Sequence, residues 1–191
     1  MEAVKGYLKD KKLSASQLST WIKSPKDYVK QYILGEPFSG NKYTEFGSKV
    51  HKLIEEDHET MVNIPKLKHR EKYFEKEYNG IILNGYLDSY DPGEIIDYKV
   101  SKKGKWSPSI VSKQEQVKFY GLWHKLEHGS LPKVSIIHIE SDEEYGNLYL
   151  TGETTQYVKQ ITEKDIEYII EKINEFVLWC EEYKKLKELL N

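Results

Sequence analysis

Four short stretches of this sequence carry side chains that could do chemistry, and each is weak alone. In IIDYK, residues 95–99, an extended strand sends alternate side chains to opposite faces. Asp97 and Lys99 then share one face, and Ile96 and Tyr98 the other. A carboxylate beside an ammonium can hold a metal ion and orient a water, although D-x-K triplets are common and an isolated one is ordinarily a polar strand face. In ILNGYLDSYD, Asp88 precedes the Asp91-Pro92-Gly93 turn. Counting back from that turn puts Asp88 roughly opposite Asp97 on the paired strand. Two carboxylates facing each other repel unless a cation lies between them, and Mg²⁺ or Mn²⁺ suits such oxygen ligands. In FGSKVHKLIEE, His51 and Glu55 are four residues apart and share a helical face. Gly47, one turn earlier, would let that helix pack closely or leave room for substrate. In QVKFY, Gln116 and Tyr120 share a helical face, an amide and a phenol that could meet phosphate or water.

The elements that must position these groups follow from periodicity and punctuation. Residues 1–12 read as a polar tail. Ser14 or Ser16 can cap a helix through Gln17, Leu18, Trp21 and Ile22, which Pro25 interrupts. A second helical stretch, Lys26 to Leu34, stops at Gly35, and GEPFSGN is loop. A helix is expected from about Glu45 to Thr60, with Phe46, Val50, Leu53 and Ile54 as its apolar stripe. After a basic loop at 61–72, three strands are predicted at Tyr73–Asn79, Ile81–Tyr90 and Glu94–Val100, an antiparallel meander turned at Asn79-Gly80 and Asp91-Pro92-Gly93. A helix over Ser112 to His128 ends at Gly129, and VSIIHIE, Val134–Glu140, is apolar enough for a buried strand beside Asn147–Thr155. Thr162 caps a final helix through Leu190. Helices around a mixed central sheet make the fold class α/β, bordering on α+β, and one domain fits the length of 191 residues.

Composition narrows the setting. The profile, 38% hydrophobic and 31% charged, is that of a soluble globular chain, and no run of about 18 apolar residues suggests a membrane span. MEAVKGYLKDKKLSASQ lacks the apolar stretch of a secretory signal, and Cys180 is the only cysteine, so a reducing, cytoplasmic setting is expected. That lone cysteine also excludes a cysteine-held zinc or iron–sulfur site. The net charge of −2 decides nothing about nucleic acid. Basic stretches occur at Lys66–Lys72 and at Lys102–Lys105, where Lys102 and Lys103 precede Trp106. Arg70 is the sole arginine, so lysine would have to supply nearly all phosphate contacts.

In order along the chain the weak signals become specific. G-x-x-x-H on a helix, G-x-x-D on a strand, a hydrophobic pair with D-Y-K, and Q-x-x-x-Y together resemble the PD-(D/E)XK nuclease superfamily. The resemblance is narrower still to the branch holding the RecB nuclease domain and the CRISPR-associated RecB-like exonucleases, whose first helices LSASQLSTWIKSPKDYVKQYILG also resembles. It runs from about Leu13 to Tyr120. It implies a restriction-endonuclease-like core in which His51, Asp88, Asp97 and the Tyr98 backbone carbonyl hold Mg²⁺ or Mn²⁺, with Glu55 a partner for His51. Lys99 would position the attacking water and offset charge on the phosphate, and Gln116 would support the site. Gln116, Tyr120, Lys102, Lys103 and Trp106 would meet DNA. Trp21, Tyr28, Trp106 and Tyr120 could stack bases, though core packing accounts for most of them. Two departures stand out: Ser24 replaces a cysteine that often precedes the proline in cluster-bearing members, and Asp97 stands where the wider superfamily often has Glu. The implied protein is a cluster-free, metal-dependent DNA exonuclease acting at single-stranded ends in replication, repair, recombination or phage DNA processing, with replication or recombination proteins as partners. A structure-specific endonuclease of the same fold and a non-catalytic nucleic-acid-binding module are the competing readings.

Overall fold

The computed structural model describes residues 6–36 and 40–189. In chain order the elements are α1 (Tyr7–Asp10), β1 (Lys12–Leu13), α2 (Ala15–Lys23), α3 (Pro25–Tyr28) continued by a π-turn at Val29–Ile33, and α4 (Lys42–Glu55). A 3₁₀ turn at Glu59–Met61 leads to β2 (His69–Tyr78), β3 (Ile81–Asp91), β4 (Glu94–Ser101), α5 (Pro108–Lys113) and α6 (Glu115–His128). β5 (Lys133–Glu144), β6 (Asn147–Gln160) and α7 (Glu163–Leu189) complete the chain.

The local reasons are legible in most of these elements. Ser14, not Ser16, caps α2 by accepting from Gln17 N at 3.3 Å. Ser24 caps α3 by accepting from Asp27 N at 3.2 Å, with Pro25 in the first turn. α4 begins three residues before the predicted start, because Asn41 and Thr44 form a capping box. It also ends earlier, at Glu55, where His58 N turns back to Leu53 O at 2.9 Å. The helix expected over Ser112–His128 is two helices broken at Gln114, whose extended ψ of 122° leaves the helical region. Thr162 caps α7 as expected, its hydroxyl oxygen accepting from Asp165 N at 3.4 Å while its N–H and hydroxyl donate back to Asp165 Oδ2. The expected loop residues 37–39, the end of α7 at Leu190 and residues 1–5 of the tail lie outside the described residues.

Residues 6–12 correct the reading of a polar tail. Tyr7 is buried among core aromatics, and β1 pairs with β3. The composition of this stretch is polar, but its one aromatic, Tyr7, is enough to anchor it.

The sheet is mixed. The order is β1-β3-β4-β5-β6, with β2 on β3 as well. β2–β3 and β3–β4 are antiparallel, as the turns at Asn79-Gly80 and Pro92-Gly93 dictate, and β4–β5 is parallel across the α5–α6 crossover. One face carries α2, α6 and α7 over Leu83, Leu87, Ile95, Val134 and Ile136. The other carries α4 over Ile96, Tyr98, Ile137 and Ile139, into which Val50 and Ile54 insert. β5 is thus buried on both faces, which explains the unbroken apolar run VSIIHIE. A central mixed sheet flanked by helices is the architecture the sequence predicts.

Candidate active site

The site is built where the sheet forks. β3 pairs with β4 only over Ser89↔Ile96, Tyr90↔Ile95 and Asp91↔Glu94. One step further along that register would set Asp88 against Asp97, but there the ladder stops. Asp88 Oδ2 instead accepts from Tyr98 N at 2.7 Å. At its other end β3 pairs with β1, at Ile82 and Leu83. The carboxyl of Asp88 therefore lies in the opening between two diverging strands, its side chain only 15% exposed.

The third carboxylate in this row is Glu71, which the sequence reading left in a basic loop. β2 begins at His69, and its pairing with β3 runs through Arg70↔Ser89 and Lys72↔Leu87 on one constant register. That register places Glu71 across from Asp88, where the regular pairing skips and Glu71 takes a positive φ of 46°. The signal was available: a two-residue Asn79-Gly80 turn, with Asn79 at φ 49° and Gly80 at φ 75°, fixes Tyr78↔Ile81 and by counting back sets Glu71 against Asp88. Lysine- and histidine-rich composition hid it.

α4 brings the imidazole. His51 Nδ1 stands 3.7 Å from Asp88 Oδ2, and one ligand atom each from His51, Glu71 and Asp88 lies within 4.8 Å of the other two. Gly47 does not serve close packing, since a Cβ there would meet nothing within 4 Å. It leaves space, and it lines a cleft of about 750 Å³ together with His51, Glu55, Glu71, Asp88 and Lys99.

On the opposite face, Asp97 is 2% exposed and bracketed. Lys99 Nζ pairs with its Oδ2 at 2.7 Å, and Gln116 Nε2 donates to its Oδ1 at 3.0 Å. Gln116 also donates to the Tyr120 hydroxyl at 2.7 Å, which in turn donates to the Tyr86 carbonyl at 3.3 Å. Tyr120 is 5% exposed, so it buttresses Gln116 and does not stack on a base. Tyr28 is likewise core, and Trp21 packs edge-on to Phe176. Trp106 is half-buried; it lines a second cleft, of about 420 Å³, with Lys99 and Gln116. A third, of about 370 Å³, reaches Asp88 and Gln116 from the side of Ser14, Ser16 and Tyr86. Lys102 and Lys103 are exposed in the loop after β4, Lys102 at 3.9 Å from Asp142. Glu55 lines the cleft, where its charge acts on Glu71.

Electrostatics explains how the groups are poised. Burial lowers the His51 pKa, against the pull of Asp97, and the Tyr98 backbone hydrogen-bonds the ring. The imidazole is therefore neutral at neutral pH, with a lone pair to offer. Burial first, and then the Asp97 charge, push the Asp88 carboxyl far above the usual carboxylate range. The 3.7 Å approach of His51 to Asp88 is thus no ion pair. Burial, Glu55 and Asp97 raise Glu71 as well. Burial opposes the Lys99 charge, but Asp97 outweighs it and the ammonium is firmly retained. One imidazole nitrogen and two crowded carboxylates, repelling each other with one lysine to offset them, fit a hard divalent cation such as Mg²⁺ or Mn²⁺. Cys180, by contrast, is fully buried in the core, its thiol pushed up to about 12 by burial.

Solved structures share this mixed sheet flanked by helices. The chain aligns with a candidate exonuclease from Eubacterium rectale at 13% identity and TM-score 0.59, covering 92% of this chain and 82% of that one. It aligns with an alkaline exonuclease from Laribacter hongkongensis at 11% identity and TM-score 0.58, covering 94% of both chains; a further structure of that exonuclease is a complex with dAMP. A phage-related exonuclease from Haemophilus somnus aligns at 16% identity and TM-score 0.53, over 93% of this chain and 82% of that one. No family profile and no curated protein sequence matches the chain. No helix among the described residues is long and apolar enough to cross a membrane.

Proposed function

We propose that this protein is a metal-dependent deoxyribonuclease, an exonuclease that hydrolyses phosphodiester bonds at single-stranded DNA ends. The observation that carries the reading is the meeting of His51, Glu71 and Asp88 beside the Asp97–Lys99 pair. His51, Asp88 and Asp97, with the Tyr98 carbonyl, would hold Mg²⁺ or Mn²⁺, and Glu71 adds a carboxylate within reach. An ion held there supplies a Lewis acid for the phosphoryl oxygen and an acidified water. Lys99 keeps a fixed positive charge at the edge of the cleft, where negative charge accumulates on the phosphate in the transition state. Gln116 holds Asp97 from behind and Tyr120 holds Gln116, so the carboxylate is oriented before substrate arrives. Lys102, Lys103 and Trp106 would meet the DNA strand beside the site. The three structural neighbours described above are exonucleases or a candidate exonuclease, which favours exonuclease over endonuclease. Within the superfamily the chain fits the RecB-like branch without an iron–sulfur cluster, working in the cytoplasm on replication, repair, recombination or phage DNA, with proteins of those processes as partners.

The test is degradation of single- and double-stranded DNA labelled at either end, with Mg²⁺ or Mn²⁺, by the wild type and by Lys99→Ala. Metal-dependent loss of label, reduced at least a hundredfold in the variant, is expected. Absence of cleavage of linear, circular and branched DNA alike would defeat the enzyme reading and leave the binding module.

A further inference from the structure

A cavity of about 430 Å³ opens beside the metal cleft, between the first turns of α4 and the end of β4. Tyr43, Phe46, Val100, Lys102 and Lys105 line it. It shares Tyr43 and Val100 with the cleft that holds His51 and Asp88, so the two spaces adjoin. We propose that this cavity is a nucleobase subsite for one strand of DNA, stacking a base on Tyr43 beside the scissile position.

Position, chemistry and preorganisation support it together. β4 runs from Lys99 to Ser101 in two residues, a span of about 7 Å, which is about two nucleotide steps at about 3.4 Å each when stacked. Tyr43 is 44% exposed, and its hydroxyl donates to Glu143 Oε2 at 2.6 Å. That bond holds the far end of the ring, and Lys42 Nζ lies over the ring at 5.4 Å from its centroid, so little side-chain freedom remains to be lost when a base stacks on the exposed part of the ring. Phe46 packs against the core cluster under α4 and closes the apolar floor. An aromatic face accepts any base, which suits an enzyme that must process a strand regardless of sequence.

The charge around the cavity fits a strand and not a neutral ligand. Lys102 and Lys105 rise from the loop after β4, and Lys105 has no carboxylate partner among the described residues. Two of the acidic groups nearby are engaged: Glu143 pairs with Lys42 at 2.5 Å, and Asp142 stands 3.9 Å from Lys102. A phosphate on either side of the stacked base would meet lysine. The need for an open base face selects single-stranded over paired DNA.

This inference deepens the nuclease reading, but its test does not depend on cleavage. The probe is a fluorescein-labelled thymidine oligomer, titrated by anisotropy against Lys99→Ala so that it is not consumed. Adding Tyr43→Ala should weaken binding about tenfold, the usual scale for one lost stack, while Tyr43→Phe, which keeps the ring, should retain it. An oligomer abasic at one position should lose affinity to a similar extent, and Tyr43→Ala should then cost nothing more. Lys105→Ala should lower the salt dependence. Unchanged affinity in Tyr43→Ala, no sensitive abasic position, no binding of the oligomer, or a blunt duplex binding as tightly with the same Tyr43 dependence would each overturn the subsite. Cleavage by the wild type without any Tyr43 effect sinks the subsite alone. Tyr43-dependent binding without cleavage sinks the nuclease alone.

Discussion

Glu71 and Asp88 stand across from each other on neighbouring strands, and Asp97 lies across the fork with Lys99 beside it. Rows of like charge on neighbouring strands are unfavourable unless something offsets them. Lys99 offsets Asp97 directly at 2.7 Å; among the described residues no lysine or arginine pairs with Glu71 or Asp88, whose carboxyls are pushed upward by burial first, and then by Asp97 at Asp88 and by Glu55 and Asp97 at Glu71. A cation at His51, Glu71 and Asp88 would relieve that strain. Glu71→Gln keeps the size and hydrogen-bonding capacity of the side chain while removing its charge. It is expected to weaken Mn²⁺ binding by about 10–100-fold, read by calorimetric titration. Unaltered Mn²⁺ affinity would remove Glu71 from the ligand set and leave the other groups in place.

At the scale of elements, the fork in the sheet depends on the β3–β4 turn being held. His124 of α6 does this: its Nε2 accepts from Gly93 N at 3.0 Å, and its Nδ1 donates to the Ser130 carbonyl at 2.9 Å. Both bonds can form only with a neutral ring, because Nε2 must offer a lone pair. Burial lowers the His124 pKa from its ordinary 6.5, with Ser130 opposing and His128 reinforcing the shift. The unfolded chain therefore binds a proton that the folded chain resists. Stability is full above about pH 6.5 and falls as the pH drops through the depressed value. His51, lowered for the same first reason, adds a decline of the same sign. Thermal unfolding followed between neutral and mildly acid pH should show this fall, and His124→Gln, which cannot titrate, should flatten part of it. An identical pH profile in that variant would show the turn to be held by other means.

Over the whole molecule, the site joins two cores. α4 and its apolar cluster bring His51 from one face of the sheet, while α6 and the larger cluster brace Asp97 through Gln116 from the other. An ion bound at the junction would tie both layers to the fork, and the unfolded chain has no such site. Saturating Mn²⁺, at about a hundred times its dissociation constant, should then stabilise the fold by about 2.7 kcal/mol, a rise of about 5–10 °C in melting temperature for a chain of this size. Chelator should reverse it. A melting temperature indifferent to Mn²⁺ would mean that the junction holds no ion.

The sequence alone determined the meander, the shared face of Asp97 and Lys99, and the placing of Asp88 one register step from the end of the β3–β4 ladder, because turns and strand alternation are local and a two-residue turn transmits register along both of its strands. The buried strand at Val134–Glu140 was legible for the same reason: apolar side chains on both faces demand cover on both sides. Tertiary structure decided what local pattern could not. That Tyr7 belongs to the core, that Tyr120 braces Gln116 instead of meeting DNA, and that Tyr43 opens onto the cleft depend on which surfaces distant segments cover. Glu71 lies between the two cases. Its register was written in the Asn79-Gly80 turn, but its approach to His51 required α4 to cross the sheet at the fork, and packing between layers, not spacing along the chain, sets that crossing.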